Sequence, residues 1–291
     1  MESTVECISV LFCVATLKKD IGFIGGGNIA RAIGHGIINN GLVEASKLHV
    51  SEPVKLLQEN WREMGVNISA NNAEVVQKTD TIFLLVKPGS LKEAMESLKQ
   101  NLGSLNIGEK LFVSVLAGVS LAKLEEVILP IIPKAKIIRT MPNMALMVGA
   151  GATVFACGHG ATKQDADLVT TIMSSIGICE QVPEDLINPI TGLSGAGPAY
   201  VYVMIEALAD GAVRMGVPRD LAIKFAGQSF YGASKMLLQT KKHPGQLKDE
   251  VCSPGGITIC GVHAIENGGV RAALMNAVVA AVQRSSELDK K

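Results

Sequence analysis

Ile21-Gly22-Phe23-Ile24-Gly25-Gly26-Gly27-Asn28-Ile29-Ala30 is the stretch whose reading decides the fold. A short apolar run breaks into three glycines, and a helical pattern from Ile29 to Ile38 follows until Asn39-Asn40-Gly41 stops it. Read as G-x-G-x-x-A, Gly25 permits a tight turn, Gly27 has no side chain to hold a ligand off the backbone, and Ala30 lets the helix pack close to the strand. The helix start adds free N–H groups and a partial positive charge, which suit a pyrophosphate. Strand before and helix after turn a weak motif into a dinucleotide fingerprint.

The flanking sequence repeats the strand-helix alternation. Lys47–Ser51 reads as a second strand ending at Glu52, 22 residues beyond Ala30. An acid there either accepts ribose hydroxyls and repels a 2′-phosphate, or is a solvated loop carboxylate. Thr81–Val86, Leu111–Leu116, Lys136–Arg139 and Gly151–Ala156 read as further strands. The helical stretches Pro53–Met64, Ser90–Leu102, Leu121–Ile128 and Asp165–Ile176 separate or follow them. Strands without polar alternation imply a parallel sheet buried on both faces, with ligands at its carboxyl edge. That edge carries Lys87, Ala117 and Asn143; by spacing alone Lys87 either meets the cofactor or is a solvated loop lysine.

Composition narrows the function classes. The 291 residues hold 27 basic and 27 acidic side chains, so the charge balance gives no reason to expect a nucleic acid or a membrane as partner. Aromatics make up 4%, too few for base-stacking platforms, and 48% apolar residues can build a core. None of the six cysteines forms a C-x-x-C pair, so buried thiols in a reducing compartment are expected, with no metal site. Cys7–Leu17 is apolar but too short to span a bilayer. Glu2 and Glu6 precede it where a secretory signal carries positive charge. Residues 1–20 are read as an extension outside the fold of a cytoplasmic chain.

Near residue 180 the texture changes. After Pro183 come only helical stretches punctuated by Gly and Pro, with Pro198 and Pro218 at first-turn positions and Gly216 and Gly268-Gly269 as stops. The expectation is an α/β Rossmann-like, doubly wound domain over 21–180 and an all-α domain over 181–291. The helix from Pro198 is apolar nearly all round (Tyr200, Val201, Val203, Met204, Ile205, Ala207, Leu208), so either a second subunit covers it or it is central to its own bundle. Val251-Cys252-Ser253-Pro254-Gly255-Gly256-Ile257-Thr258 is a turn followed by a helix start. The N–H groups of Gly256, Ile257 and Thr258 either receive a small carboxylate or belong to an ordinary helix terminus.

Together, GFIGGGNIARAI (22–33), VKP (86–88), SVLAGVSL (114–121), RTMPN (139–143), TGLSGAGPAYVY (191–202) and HPGQLKDEVCSPGGITICGVHAIE (243–266) make the chain resemble the pyrroline-5-carboxylate reductases, above all the animal cytosolic-type members. The resemblance covers about 21–288. It implies reduction of the cyclic imine 1-pyrroline-5-carboxylate to L-proline, the last step of proline biosynthesis, with NADPH or NADH. The cofactor residues it implies are Ile24, Gly25, Gly26, Gly27, Asn28 and Ile29, then Glu52, Asn72, Leu85, Val86, Lys87, Pro88, Val115, Leu116 and Ala117. The substrate would meet Glu184, Ser253, Gly255, Gly256, Ile257 and Thr258, with the Thr258 hydroxyl on the ring nitrogen as the catalytic contact. Dimers through interlocked C-terminal helices, five of them making a decamer, are implied as well.

The chain departs from the family pattern, or stands at its variable positions, at four places. Glu52 stands where NADPH-preferring members often carry Ser, so NADH is expected to serve at least as well. Ala145 stands where many members have Pro, and Lys241 and Glu250 occupy variable rim positions. Two other classes compete. A β-hydroxyacid dehydrogenase needs a Gly-x-x-Lys-x-x-x-Asn run that the chain lacks. A non-catalytic dinucleotide sensor has no use for the Ser253–Thr258 turn.

Overall fold

Ile21–Ile24 (β1) is buried at every position, as are Thr81–Leu84 (β4) and all of Lys110–Ser114 (β5) beyond its first residue. These strands, with Leu48–Ser51 (β2), Asn67–Ser69 (β3), Ala135–Pro142 (β6), Gly151–Cys157 (β7) and Gly177–Gln181 (β8), form one eight-stranded sheet in the order β3-β2-β1-β4-β5-β6-β7-β8. The reversal of strand order beside β1 is the doubly wound pattern. The computed structural model describes Leu17, Lys19–Gly103 and Ile107–Asp289. The apolar run at Cys7–Leu17 lies outside these residues except for Leu17, whose N–H donates to the Leu42 carbonyl at 2.7 Å.

The sheet is parallel with one exception: β6 and β7 pair antiparallel, Ile138 opposite Cys157 and Pro142 opposite Thr153. The uniform parallel sheet expected from the strand composition is corrected there. The connection is one short 3-10 segment, Met144–Val148, and Gly149 at φ 71°, too short for a parallel crossover.

The helices that pack this sheet are α1 (Asn28–Asn39), α2 (Lys55–Glu63), α3 (Asn72–Lys78), α4 (Leu91–Leu102), α5 (Leu121–Ile128) and α6 (Lys163–Ser174). In α1, Ala30, Ile33 and Ile37 recur at helical spacing and are buried, so this face binds the helix to the sheet. Several starts are fixed by side chains: Asn71 accepts from Ala73 N–H, Ser120 from Lys123 N–H, and Thr162 forms a capping box with Asp165. Burial works against the Asp165 carboxylate, but its bonds to Thr162 and the nearby Lys136 outweigh it and hold its pKa below the usual value.

The remaining helices are α7 (Ile187–Ile190), α8 (Gly197–Arg214), α9 (Arg219–Thr240), α10 (Pro244–Val251), α11 (Ile257–Asn267) and α12 (Val270–Asp289). A π-helical turn, Thr191–Gly195, joins α7 to α8. Compact units part at Ile187/Asn188, and the chain from Leu288 onward returns to the first unit. The first unit reaches past residue 180 because Val182 N–H bonds the Phe155 carbonyl on β7 and Ile187 is fully buried. In the helical unit, Gly192 leaves room for α12, since a Cβ there would stand 2.5 Å from Val282 Cγ2.

Candidate active site

Strand register gathers the first half of the site. Ile24 pairs with Ser51 and Leu84, and Leu84 pairs with Ser114, so the next residue of each strand emerges at the same edge. Backbone bonds continue the ladder there: Gly25 N–H to Ser51 O at 2.9 Å, Leu85 N–H to Ile24 O at 2.9 Å, and Val115 N–H to Leu84 O at 3.0 Å. Ile24, Gly25, Glu52, Leu85 and Val115 are thereby brought together. Gly25 is obligatory on two counts: φ is 98°, and a Cβ would sit 2.8 Å from the Leu85 carbonyl group.

Gly27 serves a different end. It caps α1 from an extended conformation, no side chain bonds the helix start, and a Cβ on it would meet nothing within 4 Å. Arg31 N–H begins the intrahelical series by bonding the Gly27 carbonyl at 3.0 Å, which leaves the N–H groups of Asn28, Ile29 and Ala30 without an acceptor within the helix. An open space in front of free amides at a helix start fits a pyrophosphate.

Glu52 is 5% exposed and is no solvated loop acid. Its Oε2 accepts from Gly26 N–H at 2.8 Å and its Oε1 from Val54 N–H at 2.9 Å. Beside it, Ser51 Oγ donates to Asn72 Oδ1 at 2.6 Å, which fixes Asn72 at the start of α3. Trp61 Nε1 donates to the Gly26 carbonyl at 2.9 Å. The strand-helix-strand spacing gave no sign of Trp61. The available signal was a glycine at position 26, which the fingerprint leaves free.

At the ends of β4 and β5 the edge opens into a cleft of about 780 Å³ lined by Pro88, Ala117, Gly118, Ser120, Leu288 and Asp289 among others. Lys87 and Ala117 are exposed, while Leu116 is buried and its N–H bonds Ser114 Oγ at 3.3 Å. Glu184 belongs to this first unit. Its Oε1 accepts from Leu121 N–H at 2.6 Å and from Arg139 at 3.0 Å, so it caps α5 and pairs with an arginine that is only 3% exposed. Asp289 also meets Arg139, at 3.3 Å. Arg139 was legible as the last residue of a strand and the first of the RTMPN stretch, without a role; its two carboxylate partners come from distant sequence.

The Ser253–Thr258 turn lies in the helical unit and presents a second glycine-led helix start. Gly255 stands at φ 65°, in the left-handed region. Gly256 caps α11 from an extended conformation with no side-chain bond to the helix start, and a Cβ on it would press to 2.3 Å of Ser253 Oγ. The first intrahelical bond is Cys260 N–H to Gly256 O, so Ile257, Thr258 and Ile259 present N–H groups with no acceptor in the helix. Ile257 is 92% exposed and Thr258 is exposed as well. Such a terminus can hold a small carboxylate, with a hydroxyl one residue inside it to orient a neighbouring polar atom.

Comparison with known proteins supplies the family. Residues 184–288 match the pyrroline-5-carboxylate reductase dimerisation model, and residues 20–118 match a model described as NADP oxidoreductase, coenzyme F420-dependent. A pyrroline-5-carboxylate reductase 2 of Rattus norvegicus is 44% identical over 270 residues, covering 92% of this chain and 83% of its own. The Glycine max pyrroline-5-carboxylate reductase is 42% identical over 96% of this chain and 99% of its own. Among solved structures, a pyrroline-5-carboxylate reductase from Coxiella burnetii superposes with a TM-score of 0.84 at 33% identity, covering 94% of this chain and 100% of that one. A Plasmodium falciparum pyrroline carboxylate reductase with NADP bound gives 0.82 at 31% identity, with the same coverage. Sequence identity at this level over nearly the whole length, in both units, makes the chain a member of the pyrroline-5-carboxylate reductase family.

Proposed function

We propose that the chain reduces 1-pyrroline-5-carboxylate to L-proline with NAD(P)H. The observation that carries this reading is the pair of glycine-led, uncapped helix starts, one at the carboxyl edge of the sheet and one at Ile257. The first suits a pyrophosphate and the second a small carboxylate, the two anionic groups of such a reaction.

The residues present fit the dinucleotide. Gly25 shapes the turn, the amides of Asn28, Ile29 and Ala30 lack an acceptor within the helix, the space beside Gly27 is open, and Leu85–Pro88 with Val115–Ala117 continue the rim. When bound, the reduced nicotinamide supplies the hydride for the C=N carbon. The protein's share is placement and electrostatics. The Gly256 N–H expected to help hold the carboxylate is instead taken by the Ser253 carbonyl at 3.0 Å. The amides of Ile257, Thr258 and Ile259 therefore hold the carboxylate, Ser253, Gly255 and Gly256 set the turn, and the Thr258 hydroxyl orients the ring nitrogen, which is most readily reduced as the protonated iminium. Glu184, one-third exposed and tied to Arg139, completes the substrate set.

A carboxylate fixed at Glu52 by two backbone amides opposes a 2′-phosphate, so NADH serves at least as well as NADPH. The apolar surface of α8 and α9 is covered by a second copy, as the match to a dimerisation domain supports. The sequence resemblance extends the proposal to a cytoplasmic decamer of five such dimers, which sedimentation velocity and cell fractionation test. Among the described residues no helix is long and apolar enough to cross a membrane. The direct test follows NADH and NADPH absorbance with 1-pyrroline-5-carboxylate as substrate. Proline formation coupled to loss of absorbance is expected, and no reaction with either nucleotide refutes the reading.

A further inference from the structure

We propose that Trp61 is a positioning residue for the dinucleotide, holding the glycine turn in the shape that receives the pyrophosphate. The proposal rests on the dinucleotide reading above and adds a residue that lies outside the fingerprint.

The fingerprint asks for small residues at 25, 27 and 30 and leaves position 26 to any side chain. Here position 26 is also glycine, and the structure gives the reason. A Cβ at Gly26 would stand 2.7 Å from Trp61 Nε1 and 3.1 Å from Glu52 Cβ. The absent side chain is what lets the indole reach the backbone. Both polar groups of Gly26 are then taken by side chains: its N–H by Glu52 Oε2 at 2.8 Å, its carbonyl by Trp61 Nε1 at 2.9 Å. The indole itself has no room to shift. It is fully buried, its ring lies 5.3 Å from that of Phe23, and a Cβ at Gly34 in α1 would come within 2.7 Å of Cζ3.

Two consequences follow. The Gly26 N–H is already committed, so the amides offered to a phosphate are those of Asn28, Ile29 and Ala30. The turn also needs no ordering when the ligand arrives, which lowers the cost of binding without touching the reacting atoms. Trp61 therefore governs dinucleotide affinity and leaves turnover alone.

The test is Trp61→Phe, which keeps an aromatic ring and removes the N–H. Dissociation constants for NADH and NADPH, read from nucleotide fluorescence without substrate, should rise about 3- to 10-fold, the worth of one neutral hydrogen bond. KM for the nucleotide should rise in step, with kcat and the imine KM within about two-fold. A lowered melting temperature with unchanged dissociation constants assigns Trp61 to the core alone and overturns the proposal. Gly26→Ala, whose methyl would crowd the indole N–H and distort the turn, should weaken binding in the same direction, and less so in a Trp61→Phe background; equal effects in both backgrounds overturn it too. Hydrogen exchange in the unmodified, ligand-free protein needs no variant: the Gly26 amide should be protected, and fast exchange there counts against a preset turn. If the unmodified protein binds neither nucleotide, the functional reading fails; if it binds and Trp61→Phe binds equally, only the role of Trp61 fails.

Discussion

The two units of the chain solve the problem of burial in opposite ways. The sheet unit encloses large side chains completely, among them Trp61, Phe23, Phe83, Phe112 and Phe155. In the helical unit, Asn188–Glu287, nothing larger than an alanine or serine side chain is buried in the single chain: Ala209, Ala222, Ala226 and Ser285. Its large apolar residues lie outside, with Tyr202 67% and Phe225 64% exposed. A Rossmann-like layer is closed by its own helices. The helical unit lacks an interior of its own, and a fully buried Leu, Ile or Phe is worth about 1.5–3 kcal/mol. One fold is self-sufficient and the other is half of something.

The largest expected effect would break that contrast outright. Val203→Glu with Phe225→Glu, charges placed on α8 and α9, should convert the assembly to monomers in light scattering and remove nearly all activity. Leu56→Glu, at an equally exposed apolar position of the sheet unit, should leave the oligomer intact. A double variant that stays assembled would show that the exposed faces are not what holds the subunits together.

Next comes the closed core. Phe83 stacks on Phe23 at 5.5 Å and is fully buried, so Phe83→Ala should cost about 3–5 kcal/mol in denaturant unfolding. A loss below 1 kcal/mol would mean that the sheet unit is less tightly packed than its burial indicates.

Thr258→Ala probes function in the open unit. Turnover should fall between several-fold and ~10²-fold, with a smaller change in nucleotide affinity. Unchanged turnover removes the hydroxyl from the mechanism.

The smallest effect concerns Cys179 on β8, whose thiol burial pushes up to about 12. Native protein at pH 8 should leave this thiol unalkylated until it unfolds. An unfolded thiol titrates near 9.0, so the folded state binds the extra proton between there and about 12. Its contribution is complete below the lower value and is lost as pH rises through the upper one. Alkaline unfolding of Cys179→Ala should be correspondingly less steep.

The sequence made some of this legible and hid the rest for physical reasons. Strands β1, β4 and β5 were readable because burial on both faces leaves uninterrupted apolar runs. The short β3, Asn67–Ser69, offers one apolar residue in three and passes as loop. At β8 the pattern Gly-Ile-Cys-Glu-Gln has the polar content of a sheet edge, and Ile178 points outward, 60% exposed. The direction of β7 is set by the tight turn before it, which no period within the strand encodes. At the site, the glycines announced themselves through spacing, since backbone geometry demands them locally. Trp61 and Arg139 did not, because Gly26, Glu184 and Asp289 meet them only after the chain has folded.

The last turn of α12 carries a practical lesson. Leu288 lies so near Gly118 that a Cβ on the glycine would be 2.8 Å from Leu288 Cβ, and Asp289 neutralises an arginine sealed within the sheet unit. A purification handle or fluorescent fusion spliced directly after Asp289 would crowd the cleft that Gly118, Leu288 and Asp289 line.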